Sequence, residues 1–226
     1  TMPSKFNSPG TITDAGRLAE NLEIEFDTIP IGDVLNGFDE TLSIVDGWSD
    51  KGVAFENLQA RIRGTILMSL SNKLGHMVLT CGNKSETAVG YSTLYGDTAG
   101  GFAVIKDVPK TMVYKLCEYI NEKNAREIIP VSVIKRPPSA ELKENQTDSE
   151  ALPDYDLLDP ILRGYVEDDL SADTLIEKGH DEQLVRRIVR LVDKNEYQRR
   201  QSPPGLKITP KAFGRDRRMP ITNKYQ

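Results

Sequence analysis

The longest regular hydrophobic pattern in the chain runs from Phe55 to Leu74, where Phe55, Leu58, Ile62, Ile66, Leu67, Leu70 and Leu74 recur three or four residues apart. That spacing places them on one face of an α-helix, and Gly75 marks its end. Met77-Val78-Leu79-Thr80-Cys81 is next a continuous apolar run of strand length, the pattern of a strand covered on both faces. Gly82-Asn83-Lys84-Ser85-Glu86 then turns the chain back into a helix. Helix, buried strand, glycine turn and helix predict an α/β fold.

Other segments carry weaker signals. Asp14 opens a short helical stretch with Ala15, Leu18, Ala19 and Leu22 on one face, and Ile24 to Ile31 alternates apolar and polar positions like a strand. A loop rich in glycine and aromatic residues, Tyr91 to Asp97 and Gly100-Gly101, precedes Pro109, where a helix with Met112, Leu116 and Ile120 on its apolar face begins. Residues 135–153 open with Lys135-Arg136-Pro137-Pro138 and continue mostly polar; loops of this length are usually functional or disordered. Ser171 and Asp181 stand where helix caps belong, with Gly179 between the two helices. This hairpin resembles a helix-turn-helix, but its second helix spends Leu184, Val185, Ile188, Val189 and Val192 on an apolar face, which disfavours reading of DNA.

Composition narrows the class. The 226 residues are 38% hydrophobic with a net charge of −5, as expected of a soluble globular chain. Two cysteines, Cys81 and Cys117, form no disulfide framework. With no signal peptide and no apolar run near the roughly 18 residues of a membrane span, a cytoplasmic protein is expected, with neither membrane nor nucleic acid as partner. The charge is uneven: residues 186–226 carry 12 Lys or Arg, from Arg186 to Lys224, against Asp193, Glu196 and Asp216, a net +9 beside −14 for the rest. Such a tail suits a polyanionic ligand or docks on the acidic body, unless it is simply solvated.

Cys-x-x-Cys, His-Glu-x-x-His, Gly-x-Ser-x-Gly and the Gly-x-x-x-x-Gly-Lys-Ser phosphate loop are absent, and His76 and His180 are far apart. What remains is carboxylate and phosphate chemistry at Thr80 to Glu86, the carboxyl end of the predicted strand, where α/β proteins bind ligands. Glu86 suits Mg²⁺ shared with substrate phosphates. The plainer alternative makes Ser85 a helix cap and Glu86 a partner of the helix dipole.

Three segments then resemble a known family. Glu56 to Gly64 (ENLQARIRG), Leu79 to Asp107 (LTCGNKSETAVGYSTLYGDTAGGFAVIKD) and Phe213 to Asn223 (FGRDRRMPITN) are similar to the synthetase domain of NAD synthetases, and Leu152 to Leu162 (LPDYDLLDPIL) with the basic tail looks like the glutamine-dependent branch. The resemblance implies an adenine-nucleotide α-hydrolase-type, Rossmann-like parallel sheet flanked by helices, with residues 1–165 as its core and 166–226 as a C-terminal helical hairpin and basic covering tail. It implies a ligase, in the family a homodimer or higher oligomer. ATP with Mg²⁺ adenylates the nicotinate carboxylate of deamido-NAD, and ammonia, taken from glutamine by an amidase domain, displaces AMP to give NAD.

By resemblance, Asn57, Arg61, Tyr91, Ser92, Thr93 and Leu94 match deamido-NAD contacts. Glu86 is the acidic residue at the reacting centre, for Mg²⁺ or the dinucleotide. Cys81, Lys110 and Ser139 match ATP contacts, with Cys81 standing where the family usually has Thr; Lys207 and Arg215 lie in a segment that closes over the ligands. The family's Ser-Gly-Gly-x-Asp-Ser phosphate loop does not occur in these residues, so the expectation is the C-terminal portion of a larger synthetase, inactive or nearly so by itself. A nucleotide-binding or dimerisation module, and a related ATP pyrophosphatase, are the alternatives.

Overall fold

The computed structural model describes residues 1–49 and 52–222; Asn223 and Lys224 of the tail motif lie outside the described residues. In chain order the elements are α1 (Pro9–Asn21), α2 (Gly32–Leu42), α3 (Gly52–Leu74), β1 (Leu79–Thr80), α4 (Lys84–Val89), β2 (Phe102–Ala103), α5 (Lys110–Asn124) and α6 (Val131–Lys135). A 3₁₀ turn (Asp148–Glu150), α7 (Tyr155–Leu162), a π-turn (Arg163–Glu167), α8 (Ala172–Glu177), α9 (Glu182–Lys194) and α10 (Glu196–Arg199) follow. The chain forms two compact units, residues 1–63 with 113–152, and 64–112 with 153–226.

In the first unit α1 starts five residues earlier than the sequence suggests. Ser8 caps it, its hydroxyl accepting from Thr11 N at 3.2 Å. Asp14 is therefore a buried residue inside the helix, where Ser132 Oγ donates to it at 2.7 Å and the Arg136 guanidinium pairs with it. An acid followed by an apolar face looks like a cap, and only the distant partners Ser132 and Arg136 show otherwise. The segment Ile24 to Ile31 is extended without forming a strand ladder: Ile29 N donates to Thr1 O at 2.8 Å and Ile31 N to Pro3 O at 3.0 Å. Pro3 has no N–H to return a bond, so the pairing stops there. Ile31 is fully buried, as is Gln59 on α3, whose amide donates to Leu142 O at 2.7 Å.

In the second unit β1 and β2 are parallel, with Leu79 opposite Phe102 and Thr80 opposite Ala103. The ladder is shorter than the five-residue apolar run. It turns at Gly100, where a Cβ would lie 2.7 Å from Thr80 Cγ2, so only glycine lets the loop approach the strand this closely. Asn83, not Ser85, caps α4. The predicted hairpin caps are present: Ser171 Oγ accepts from Thr174 N at 3.1 Å and Asp181 Oδ1 from Leu184 N at 2.8 Å. Val185, Ile188 and Val192 of α9 are completely buried, and α9 packs on α4, α7 and α8.

The basic tail docks on its own unit. Lys207 pairs with Asp216 at 2.8 Å, Lys211 pairs with Asp169, and Arg199 and Arg200 share Glu196 at 3.0 and 2.6 Å. Arg217 stacks on Tyr165, 4.2 Å from the ring centre. Helices around a small parallel sheet make this an α/β protein, as the hydrophobic pattern predicts. Among the described residues no helix is long and apolar enough to cross a membrane.

Candidate functional site

The carboxyl end of β1 delivers the chain into Gly82 and α4, and Glu86 occupies the third position of that helix. Its main-chain N–H donates to Asn83 Oδ1 at 3.0 Å, while its own Oε2 accepts from Asn83 N at 3.2 Å. This reciprocal capping box fixes the carboxylate's direction. Its other oxygen, Oε1, accepts from Lys110 Nζ at 3.2 Å. Lys110 lies on the first turn of α5, its ammonium 5.4 Å from the Tyr155 ring centre. Both partners keep nearly a fifth of their side-chain surface in solvent, 18% for Glu86 and 19% for Lys110, so the pair is reachable by a ligand.

Glu86 also lines a cleft of mixed charge. Thr80, Glu86, Asp97, Lys106, Arg199 and Ser202 are among the residues that line it. Asp97 reaches solvent, yet its carboxyl is hemmed in by protein. That desolvation, reinforced by the Glu86 charge, pushes it up to about 6, against the opposing hydrogen bond from Thr93 N. Lys106 is held below its ordinary value by burial and then by the Arg199 charge, and it donates to Ser202 Oγ at 2.5 Å and Pro203 O at 2.7 Å. Two carboxylates and two cationic side chains line this one cleft.

Among the described residues no three or more His, Cys, Asp or Glu side chains gather into a metal cage. Mg²⁺ does not require one: it takes one or two carboxylates and fills its remaining positions with water and substrate phosphates. Glu86 fits that habit with its single carboxylate.

The structure joins Glu86 to Lys110 and places Ser92 on the wall of the same cleft, where its hydroxyl donates to Gln198 Oε1 at 3.2 Å. Tyr91 and Thr93 follow directly, through Tyr91 N to Glu86 O at 2.9 Å and the contact of Thr93 N with Asp97; Leu94 is half-buried in the adjoining turn. Cys81 stands exposed between Thr80 and Gly82. Surrounding protein, followed by the Glu86 and Asp97 charges, pushes its thiol up, so it is protonated at neutral pH. Arg215 lines a second cleft with Lys106 and Arg199, whereas Lys207 is taken by Asp216.

Asn57, Arg61 and Ser139 belong to the first unit. There Ser139 Oγ donates to Gln146 O at 2.5 Å and accepts from Glu141 N at 3.1 Å, closing the 139–146 loop on itself. Asp97, Lys106 and Arg199 line the candidate cleft beside Glu86 and were not singled out from the sequence. Only Asp97 carried a signal, as a lone carboxylate in the Tyr95-Gly96-Asp97 turn beside the predicted dinucleotide stretch.

A parallel α/β core with a carboxylate-and-cation cleft at the carboxyl end of its strand defines a nucleotide-site protein of the Rossmann-like class. Residues 1–202 match the family described as NAD synthase, and the chain belongs to that family. It is 52% identical over 225 residues to the glutamine-dependent NAD(+) synthetase of Thermotoga maritima, covering 100% of this chain and 39% of that protein. The Acinetobacter baylyi enzyme of the same description is 48% identical over 225 residues, covering 100% of this chain and 42% of that one. A glutamine-dependent NAD+ synthetase from Acinetobacter baumannii, solved with ADP, is 46% identical with a TM-score of 0.59, covering 98% of this chain and 40% of that one. The synthetase from Cytophaga hutchinsonii shares the fold with a TM-score of 0.82 at 24% identity, over 99% of this chain and 38% of that one. The chain thus spans about two fifths of these relatives, and its fold is the adenine-nucleotide α-hydrolase type.

Proposed function

We propose that the chain is the synthetase portion of a cytoplasmic ligase that amidates deamido-NAD to NAD, with ATP, Mg²⁺ and ammonia drawn from glutamine. The observation that carries this reading is the Glu86–Lys110 pair at the carboxyl end of β1, with Glu86 on a cleft that Lys106 and Arg199 also line. The first half-reaction joins the nicotinate carboxylate to the α-phosphate and expels pyrophosphate, so it needs positive charge on the phosphates and little covalent help. Lys110 supplies such a charge, with Cys81 and Ser139 as further ATP contacts. Mg²⁺ held by Glu86 would offset charge developing on the phosphate oxygens.

In the second half-reaction ammonia attacks the acyl adenylate and must shed a proton. Asp97, pushed up to about 6, suits a proton acceptor near neutral pH. Asn57, Arg61, Tyr91 to Leu94, Lys207 and Arg215 are assigned to the dinucleotide. Leu116, Tyr119 and Ile120 of α5 are exposed, which supports a homodimer.

The test is NAD formation from deamido-NAD, ATP and Mg²⁺ by the protein that contains this chain, with ammonia or glutamine as donor. Glu86→Gln keeps the shape of the capping residue and removes its charge. Activity is expected to fall by about 100-fold or more with the fold intact; full activity in this variant would remove Glu86 from the reacting centre.

A further inference from the structure

Lys84 is the least expected side chain in the second unit. It opens α4, two residues before Glu86, and only 3% of it is exposed. Its ammonium contacts Glu167 Oε1 at 2.8 Å, Asp107 Oδ1 at 3.0 Å, Thr209 Oγ1 at 2.5 Å and Lys211 O at 2.9 Å. Asp107, equally buried, accepts from Ile208 N and Thr209 N at 2.8 Å each and from the Thr209 hydroxyl. Four segments far apart in sequence therefore meet at one buried charge: the start of α4, the loop before α5, the π-turn and the basic tail.

A buried lysine with two carboxylates is an expensive way to stabilise a fold, since apolar side chains of similar volume do as well or better. What the cluster supplies is geometry. It ties Thr209 and Lys211 to the helix that carries Glu86. The tail on either side, Pro203 to Leu206 and Ala212 to Arg215, lines the cleft next to the Glu86 cleft, and Lys106 and Arg199 line both.

We propose that Lys84, with Asp107, is a latch: it positions the Ile208–Lys211 stretch of the tail beside the Glu86 cleft, and through that stretch it governs how the cleft holds its anionic ligand. The ligand part rests on the function proposed above; the docking of the tail does not. Lys84 and Asp107 touch no reacting atoms, and their effect passes through the tail.

Lys84→Met would strand Asp107 and Glu167 in the interior, so Thr209 is the better handle. Thr209→Val removes the hydroxyl that bridges Lys84 and Asp107 while keeping shape, and Thr209→Ser restores it. Limited trypsin digestion of the chain, followed by mass spectrometry, reads the cut after Lys207 and Lys211, with the cut after Arg126 in the other unit as internal control. Thr209→Val is expected to speed tail cleavage at least about tenfold, since even one of the hydroxyl's two hydrogen bonds to charged groups corresponds to a change of that order, with the Arg126 cut unchanged and Thr209→Ser at the wild-type rate. Tail cleavage at the wild-type rate in Thr209→Val overturns the latch, as does acceleration of all three cuts together.

In the protein that contains the chain, the same variant should raise KM for deamido-NAD about tenfold and leave kcat within about twofold; a fall confined to kcat would overturn the positioning role. The digestion needs no substrate. Absence of NAD formation in the wild type would thus remove the proposed function and leave the latch to stand or fall on the cleavage rates.

Discussion

Replacing Asp159 tests how the Glu86–Lys110 pair is held in register. The first turn of α5, which carries Lys110, has main-chain donors with no partner inside the helix. Asp159 of α7 supplies one: its Oδ2 accepts from Thr111 N at 2.9 Å and from Thr111 Oγ1 at 2.7 Å, while Oδ1 accepts from Ser85 Oγ. Ser85 in turn accepts from Lys110 N at 2.9 Å, so one carboxylate ties the starts of α4 and α5 together. Hydrogen bonds to charged groups contribute about 1.5–3 kcal/mol each, and Ser85 is completely buried. Three bonds are lost in Asp159→Ala, offset in part because a carboxylate no longer has to be buried, which leaves a net loss of roughly 3–5 kcal/mol. Asp159→Asn keeps an acceptor for one side and should lose about 1–2 kcal/mol. Urea unfolding followed by circular dichroism measures both, with the midpoint shifting at constant slope. Equal midpoints for the two variants, or an alanine variant within about 0.5 kcal/mol of wild type, would refute the bracket.

Three further outcomes follow from the same geometry. Gly90 ends α4 at φ +74°, and a Cβ there would lie 2.2 Å from Asn195 Cγ; Gly90→Ala should lower stability by about 2–4 kcal/mol in the same urea assay. The raised Asp97 carboxyl makes the folded state bind a proton that the unfolded chain has released between about pH 4 and pH 6, so this group's contribution to stability falls as pH rises through that window. Asp97→Asn should therefore gain stability over wild type at pH 7 and gain less at pH 4.5, by urea midpoints at each pH. Cys81 is an uncharged thiol at neutral pH, and Cys81→Thr, a stronger hydrogen-bond partner, should lower KM for ATP about threefold in the protein that contains the chain.

Periodicity located the elements whose determinants are local. α3 and its Gly75 stop and the Ser171 and Asp181 caps each depend on residues within a turn of one another, and each is present as expected; the strand entering Gly82 is present but only two residues long, with Leu79 and Met77 exposed rather than covered on both faces. Where partners are remote, local pattern misled. Asp14 resembles a cap because Ser132 and Arg136, its actual partners, are more than a hundred residues away. Ser85 resembles a cap for the same reason: its hydroxyl goes to Asp159, and Asn83 takes the capping role. The apolar stripe of Met112, Leu116 and Ile120 was read correctly as a face, yet the structure leaves it exposed. A hydrophobic period reports which side of a helix avoids water and carries no information about what covers it.

The candidate site divides along the same line. Glu86 was legible because a carboxylate after a glycine turn at a strand's end is a local feature, whereas Lys110 was legible only through the resemblance to NAD synthetases. Arg199, which lines the same cleft, belongs to α10 and counts in the sequence only as one more charge in the tail. Counting that tail at +9 suggested a surplus of charge waiting for a polyanion. In place, Glu196 and Asp216, already counted in that sum, hold tail cations, and Asp169 and Asp173 from outside the tail pair with Lys211 and Arg186. Arg199 is further committed to Ala88 O at 2.8 Å and lies 4.6 Å from the Phe213 ring centre. The positive charge left to a ligand is thus set by which cations lack an acid of their own. Lys106, whose ammonium donates to Ser202 and Pro203 and which is held below its ordinary value, would gain a counter-charge from a phosphate, and its pKa should rise when one binds.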